Sequence, residues 1–220
     1  MNQGNVILAA DAAPAQRTSG IVLHSSVLYD LTVWLAFFGK EQAFRDKVLD
    51  LARLASGESI LDVGCGTGTL AIAAKRRVGP TGAVHGVDAS PEMLVRAEKK
   101  AKKAGVEVLF ENTLAESLPF ADAHFDAVLS TVMFHHLPRK ARLRCAHEIR
   151  RVLKPDGRVL VVDFEGMADE KRTLLSHFHR PHGHVRVDDI IALHTIESGP
   201  VGIRDLQFAL ATRLGAEPRK

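Results

Sequence analysis

Between Ser59 and Phe164 the chain alternates short apolar runs with longer segments of mixed polarity. "SILDV", "AVHGV", "VEVLF", "FDAVLS" and "GRVLVVDF" are the short runs, and their length and branched residues predict buried strands. Leu70–Arg77, Pro91–Ala104 and Arg139–Leu153 read as helices between them, and another is predicted at roughly Glu41–Ala55, ending near Gly57. Apolar strands alternating with helices predict a parallel sheet covered on both faces. A last pair of short runs, "GIRD" and "FALATR", predicts an antiparallel edge. Ser90 followed by Pro91 is a helix start, because serine caps the first amides and proline suits the first helical position. "KPDG", Lys154–Gly157, predicts a turn entering a strand, and "KKAKK", Lys99–Lys103, a solvated helix C-terminus.

Ahead of this alternation, residues 1–20 read as a flexible tail. Ser26–Phe38 follows as a helix apolar on most faces, with Leu28, Leu31, Leu35 and Phe38 on one stripe. No run approaches the ~20 apolar residues of a membrane span, so no stable membrane insertion is expected. The first residues lack the basic start of a signal peptide. A net charge of +3 does not by itself predict nucleic-acid binding, which calls for a clustered basic face, so nucleic acid is not an expected partner. Cys65 and Cys145 show no pairing pattern, which fits a reduced, cytoplasmic setting. The length of 220 residues suits one α/β domain over 21–220, a monomer or homodimer.

The chemistry starts at "SILDVGCGTGTLAIAA", Ser59–Ala74. A strand ends in Asp62, Gly64, Gly66 and Gly68 follow at alternate positions, and a helix begins. A dinucleotide loop has its last glycine three residues beyond the second; here that place is Thr69, which weakens the case for a pyrophosphate on the helix N-terminus. Twenty residues past Gly68, Asp88 closes the second strand, where a carboxylate can accept from both hydroxyls of a ribose. The expected ligand contains a nucleoside.

This combination resembles the class I S-adenosylmethionine-dependent methyltransferases. "GVDASPEMLVRA", "ESLPFADAHFDAVLS", "FHHLP" and "EIRRVLKPDGRVLVVDF" narrow the resemblance to small-molecule and lipid methyltransferases, including the quinone C-methyltransferases. It covers about Leu54–Phe164. It implies a Rossmann-like, doubly wound, mostly parallel seven-stranded α/β sheet, with lid helices over 21–56, a cofactor-binding core over 57–165 and an acceptor-side extension over 166–220. It implies S-adenosyl-L-methionine as cofactor, S-adenosyl-L-homocysteine as product and a small or lipid-like acceptor, a quinone precursor or an ethanolamine phospholipid. By resemblance Asp62 orients the methionine amino group, and Gly64, Cys65, Gly66 and Gly68 pass close to it. Asp88 holds the ribose, Ala89 and Met93 flank the adenine, and Ser130 lies near the methyl group. One position departs from the pattern: before Ala115 the subgroup usually has aspartate, accepting from the adenine amino group, and here stands Leu114. The Ala115 backbone with a neighbour such as Glu116 would then serve, or affinity is weaker.

Methyl transfer is an in-line displacement in which positioning does much of the work, so no fixed triad is required. A base is needed only if the acceptor loses a proton, and His135 and His136 in "MFHHLP" are candidates, against a purely structural role. Tyr29 in the N-terminal helix is a candidate lid residue, against simple packing or a dimer contact. His177, His179, His182 and His184 lack the carboxylate or cysteine framework of a metal site, so no metal is expected, and the segment reads as an acceptor-facing loop or plain surface structure. A non-catalytic S-adenosylmethionine-binding regulatory or assembly protein is the rival reading.

Overall fold

The structure, a computed structural model, describes residues 41–164, 193–203 and 205–213. Its elements run α1 (Glu41–Leu51), β1 (Ser59–Val63), α2 (Thr69–Val78), β2 (Ala83–Asp88), α3 (Pro91–Ala104), β3 (Leu109–Asn112), β4 (Phe125–Thr131), a 3₁₀ turn at Phe134–His136, α4 (Arg139–Val152), β5 (Leu153–Phe164), β6 (Leu193–Pro200) and β7 (Leu206–Arg213). The strands form one seven-stranded sheet in the order β3-β2-β1-β4-β5-β7-β6. The first five are parallel, and β7 is antiparallel to both β5 and β6. The α/β, Rossmann-like, mostly parallel architecture expected from the sequence is the one observed. The predicted tail, the helix Ser26–Phe38 with Tyr29, and the His177–His184 segment lie outside the described residues.

Three expectations are adjusted. "VEVLF" begins as helix closure rather than strand: Gly105 takes φ 66 as the cap of α3, and the Val106 amide donates to Ala101 O at 3.2 Å. The strand therefore starts only at Leu109. "KPDG" does turn, but inside β5: Phe125 pairs with Leu153 and Ala127 already pairs with Arg158, so the turn bulges out of a continuing strand. "FALATR" belongs to β7, whereas Gly202, Ile203 and Asp205 of "GIRD" fall before it, and the partner is Leu193–Pro200. β7 is apolar on both faces and sits flanked on both sides; the half-exposed β6 takes the edge.

Each face of the sheet buries its own core. Ala141, Cys145, Ile149 and Val152 of α4 pack with Leu61, Val128, Phe125 and Val161 on one face. Phe44, Val48, Leu70 and Ala74 of α1 and α2 pack with Ile60, Leu129, Leu160 and Leu210 on the other. Cys145 faces this core, as its helical position suggests, and burial pushes its thiol pKa up. Arg158 ties the C-terminus of α1 to the sheet. Its guanidinium donates to Ala52 O at 2.6 Å, to Arg53 O at 2.7 Å and to both Glu58 carboxylate oxygens at 2.7 and 2.8 Å.

Candidate active site

The chain winds from β1 outwards to β3, then crosses back to β4 and β5, so the winding reverses between β1 and β4. In open parallel sheets ligands bind in the crevice beyond the C-terminal strand ends at that point. The register aligns those ends: Val63 sits beside Val87, Asp62 beside Leu129, and Ser130 beside Val161. Asp62, the glycine loop, Asp88, Ser130 and the segment after β4 therefore share one edge of the sheet.

The loop after β1 crosses to β2. The amides of Gly64 and Cys65 both donate to Val87 O, at 2.9 and 3.0 Å. Gly64, Gly66 and Gly68 all have left-handed φ, 74°, 53° and 73°. At Gly68 a side chain is doubly excluded: an added Cβ would stand 2.7 Å from Ala97 Cβ and 2.8 Å from Phe110 Cζ. At Gly64 it would collide with Met133 from the segment after β4, so glycine lets the two sides of the crevice meet. Thr67 is buried and held by Lys100 Nζ at 2.7 Å, so one lysine of the "KKAKK" helix end braces the loop while Lys99, Lys102 and Lys103 are exposed.

Asp88 organises the second wall. Its Oδ2 accepts from the Gly66 amide at 2.9 Å and its Oδ1 from the Ser90 amide at 2.9 Å. Its backbone oxygen accepts from Asn112 Nδ2 at 2.9 Å and from the Thr113 amide at 3.2 Å. The end of β3 is thereby pulled to the end of β2, and Leu114 and Ala115 follow immediately. Ser90 caps α3 by accepting from the Met93 amide at 3.4 Å, and Met93 itself is buried. Burial raises the Asp88 pKa against the opposing amides of Ser90, Gly66 and Ala89. Glu116, named from the sequence as a substitute for the missing aspartate, is turned to α4 instead: its Oε1 lies 3.9 Å from Arg144 and its charge acts on buried Cys145.

Among the described residues, two buried polar atoms at the sheet edge lack a partner, Asp62 Oδ2 and Ser130 Oγ. A buried carboxylate with one unpaired oxygen is costly, and the pKa of Asp62 is pushed up to about 7, first by burial, then by the negative charge of Asp88, against the opposing Ala71 amide. A cationic amino group beside Asp62 would remove that cost. S-Adenosylmethionine carries such a group together with a ribose diol, and the orphaned Asp62 oxygen beside the glycine loop fits it. Cys65 is buried, and burial followed by Asp62 and Asp88 holds its thiol well above its ordinary pKa, which keeps it un-ionised rather than reactive.

Beyond Ser130 the backbone is strained. Val132 has φ 54, a conformation β-branched residues rarely adopt, and its amide donates to Val162 O at 2.7 Å. Phe134 then plunges fully into the core. That leaves His135 on the other side, where its Nδ1 lies 2.7 Å from Asp163 Oδ1. The rings of His135 and His136 are stacked at a tilt with centroids 3.8 Å apart. Asp163 was not singled out in the sequence. The signal was there: an acid closing an apolar strand, the same signal that marks Asp62 and Asp88. No cluster of metal-binding side chains occurs among the described residues.

Comparison with known proteins agrees with this geometry. Residues 60–157 match the family described as "Methyltransferase domain". The demethylmenaquinone methyltransferase of Thermus thermophilus is 40% identical over 136 residues, 62% of this chain and 60% of its own length. The ubiquinone/menaquinone biosynthesis C-methyltransferase UbiE of Bdellovibrio bacteriovorus is 36% identical over 126 residues, 57% of this chain and 52% of its own. A SAM-dependent methyltransferase from Aquifex aeolicus superposes with a TM-score of 0.64 at 23% identity, over 77% of this chain and 89% of its own, a likeness of fold. Fold, loop and matches point the same way: residues 60–157 match a methyltransferase domain, and the chain resembles the class I S-adenosylmethionine-dependent methyltransferases. Within that class it resembles the quinone C-methyltransferases. The chain spans between half and two thirds of the length of the curated relatives it matches.

Proposed function

We propose that this protein transfers a methyl group from S-adenosylmethionine to a ring carbon of a quinone precursor. The observation that carries the reading is the pairing of the glycine loop with Asp88 at the switch point, beside the orphaned Oδ2 of Asp62. Asp62 takes the amino group of the methionine moiety, Asp88 the ribose diol, and Ala89, Met93, Leu114 and Ala115 the surroundings of the adenine. Gly64, Cys65, Gly66 and Gly68 form the close wall, and Ser130 stands near the reacting end. The cofactor supplies an electrophilic methyl group on a positively charged sulfur. The protein's contribution is alignment and exclusion of water, and alignment can supply roughly 7–11 kcal/mol of the barrier.

Of the two acceptors raised by the sequence, the names of the similar proteins support the quinone. An electrophilic methyl needs an electron-rich carbon, so the reduced, dihydroxy form of the ring is the reactive acceptor. No helix among the described residues is long and apolar enough to cross a membrane. The test is to incubate the protein with methyl-labelled S-adenosylmethionine and, separately, reduced demethylmenaquinone, ethanolamine phospholipid vesicles and total protein. Label entering the quinone alone is expected. Label entering phospholipid overturns the acceptor, and tight cofactor binding with no label anywhere favours the non-catalytic reading.

A further inference from the structure

Asp163 is fully buried at the C-terminal end of β5. Its Oδ1 receives the Phe164 amide at 2.8 Å and His135 Nδ1 at 2.7 Å, and its Oδ2 receives the His135 amide at 3.3 Å. A carboxylate oxygen accepts only, so the contact fixes the proton of a neutral His135 on Nδ1. Nε2, across the ring, then carries a lone pair. The ring is partly open, its side chain 21% exposed, and is fixed from other sides too: Phe164 lies edge-on at 5.3 Å and His136 tilts against it. Arg142 clamps the segment, donating from Nε to Phe134 O at 3.0 Å and to Leu137 O at 2.7 Å. Asp163 also acts electrostatically on Arg142, so among the described residues Asp163 from β5 and Arg142 from α4 are charged groups near this segment, with His136 as the neighbouring titratable ring. Val132 holds its strained conformation three residues earlier. A strained backbone, a buried carboxylate spent on one imidazole and a clamp on the flanking carbonyls are more than packing requires.

We infer that His135, and not His136, is the base of the reaction, held in its Nδ1–H form by Asp163 as a positioning residue, and that the acceptor therefore carries an ionisable ring hydroxyl. The inference rests on the methyltransferase reading above. The hydroxyl proton passes to His135 Nε2, and the electron pair it leaves enters the ring. The ring carbon forms its bond to the methyl group as the carbon–sulfur bond breaks and its pair stays on sulfur. That carbon then releases its hydrogen as a proton to solvent, and the imidazolium of His135 returns a proton to the oxygen. One methyl is gained and one proton released in total.

The test compares wild type with His135→Ala and Asp163→Asn, using reduced demethylmenaquinone as acceptor. A general base supplies about 10²–10⁴-fold. We expect kcat of His135→Ala to fall by about 100-fold or more, with calorimetric S-adenosylmethionine affinity unchanged, and free imidazole to restore part of it. Asp163→Asn should lower kcat with little change in KM. In long-range ¹H–¹⁵N spectra His135 should show the Nδ1–H tautomer in wild type and lose it in Asp163→Asn. A wild type that transfers methyl together with a His135→Ala variant of equal kcat overturns the dyad alone. A wild type that binds the cofactor and methylates nothing overturns the dyad and the transfer reading together.

Discussion

Asp88 and Gly66, 22 residues apart, are joined by a 2.9 Å hydrogen bond from the glycine amide to the carboxylate. The residue that closes the second strand thus shapes the loop that leaves the first. Asp88 has two tasks in this account, bracing the loop and holding the ribose. Asp88→Ala should weaken S-adenosylmethionine binding more than tenfold, since hydrogen bonds to charged groups contribute about 1.5–3 kcal/mol. Titration calorimetry reads this directly, and an unchanged dissociation constant sinks the assignment.

Asp62 sets stability against function. An acid whose folded pKa is raised stabilises the fold only while protonated, so its contribution is present below its ordinary value of 3.8 and is lost as pH rises towards about 7. Asp62→Asn stays neutral throughout. In cofactor-free protein its Tm should exceed that of wild type at about pH 8, with the gap closing towards about pH 4. The same variant should bind S-adenosylmethionine more weakly, and wild-type affinity should decline as pH falls through about 7, because the cofactor's amino group calls for an ionised carboxylate. Melting curves and calorimetry across that range check both halves.

Gly68 and Gly105 separate backbone strain from crowding. Both have left-handed φ, 73° and 66°, but only Gly68 has neighbours where a side chain would go; nothing lies within 4 Å at Gly105. Gly105→Ala should cost about 1–2 kcal/mol, the left-handed penalty of an ordinary residue. Gly68→Ala should cost clearly more, since Ala97 and Phe110 must also shift. Urea denaturation of the two variants, side by side, gives the comparison.

Arg158 is the joint between α1 and the sheet, with its side chain 14% exposed and that of Glu58 18%. Removing one partner of a largely buried pair leaves the other uncompensated and costs about 3–5 kcal/mol. Arg158→Ala should fall in that range. Arg158→Lys should recover little, because a single ammonium cannot serve a two-pronged contact with Glu58 and two carbonyls at once. Chemical denaturation monitored by circular dichroism measures both.

What was legible in the sequence follows from what is local. The helix Pro91–Ala104 could be read to the residue because its start and stop are written side by side, as Ser90–Pro91 and Gly105. The glycine loop and Asp88 were legible because spacing along adjacent strands fixes their meeting. Strand order at the C-terminal end was not: placing β7 between β5 and β6 depends on which strand is apolar on both faces, and the partner Leu193–Pro200 has a weak, mixed pattern. Asp163 was missed for a related reason. Its partner His135 lies 28 residues away, and only the strained step at Val132 and the burial of Phe134 swing the imidazole across to it. The contact of Glu116 with Arg144 was not legible either, because sequence adjacency to Ala115 says nothing of which side of the chain the carboxylate takes.

The most direct test of the central claim is the mass of the product formed from reduced demethylmenaquinone and S-adenosylmethionine carrying a trideuteriomethyl group. The expected product is a quinone that has gained the intact deuterated methyl on carbon and lost one ring hydrogen, with S-adenosylhomocysteine formed in equal amount. A product bearing the label on oxygen, or cofactor that binds and is never consumed across the acceptors tested, would contradict it.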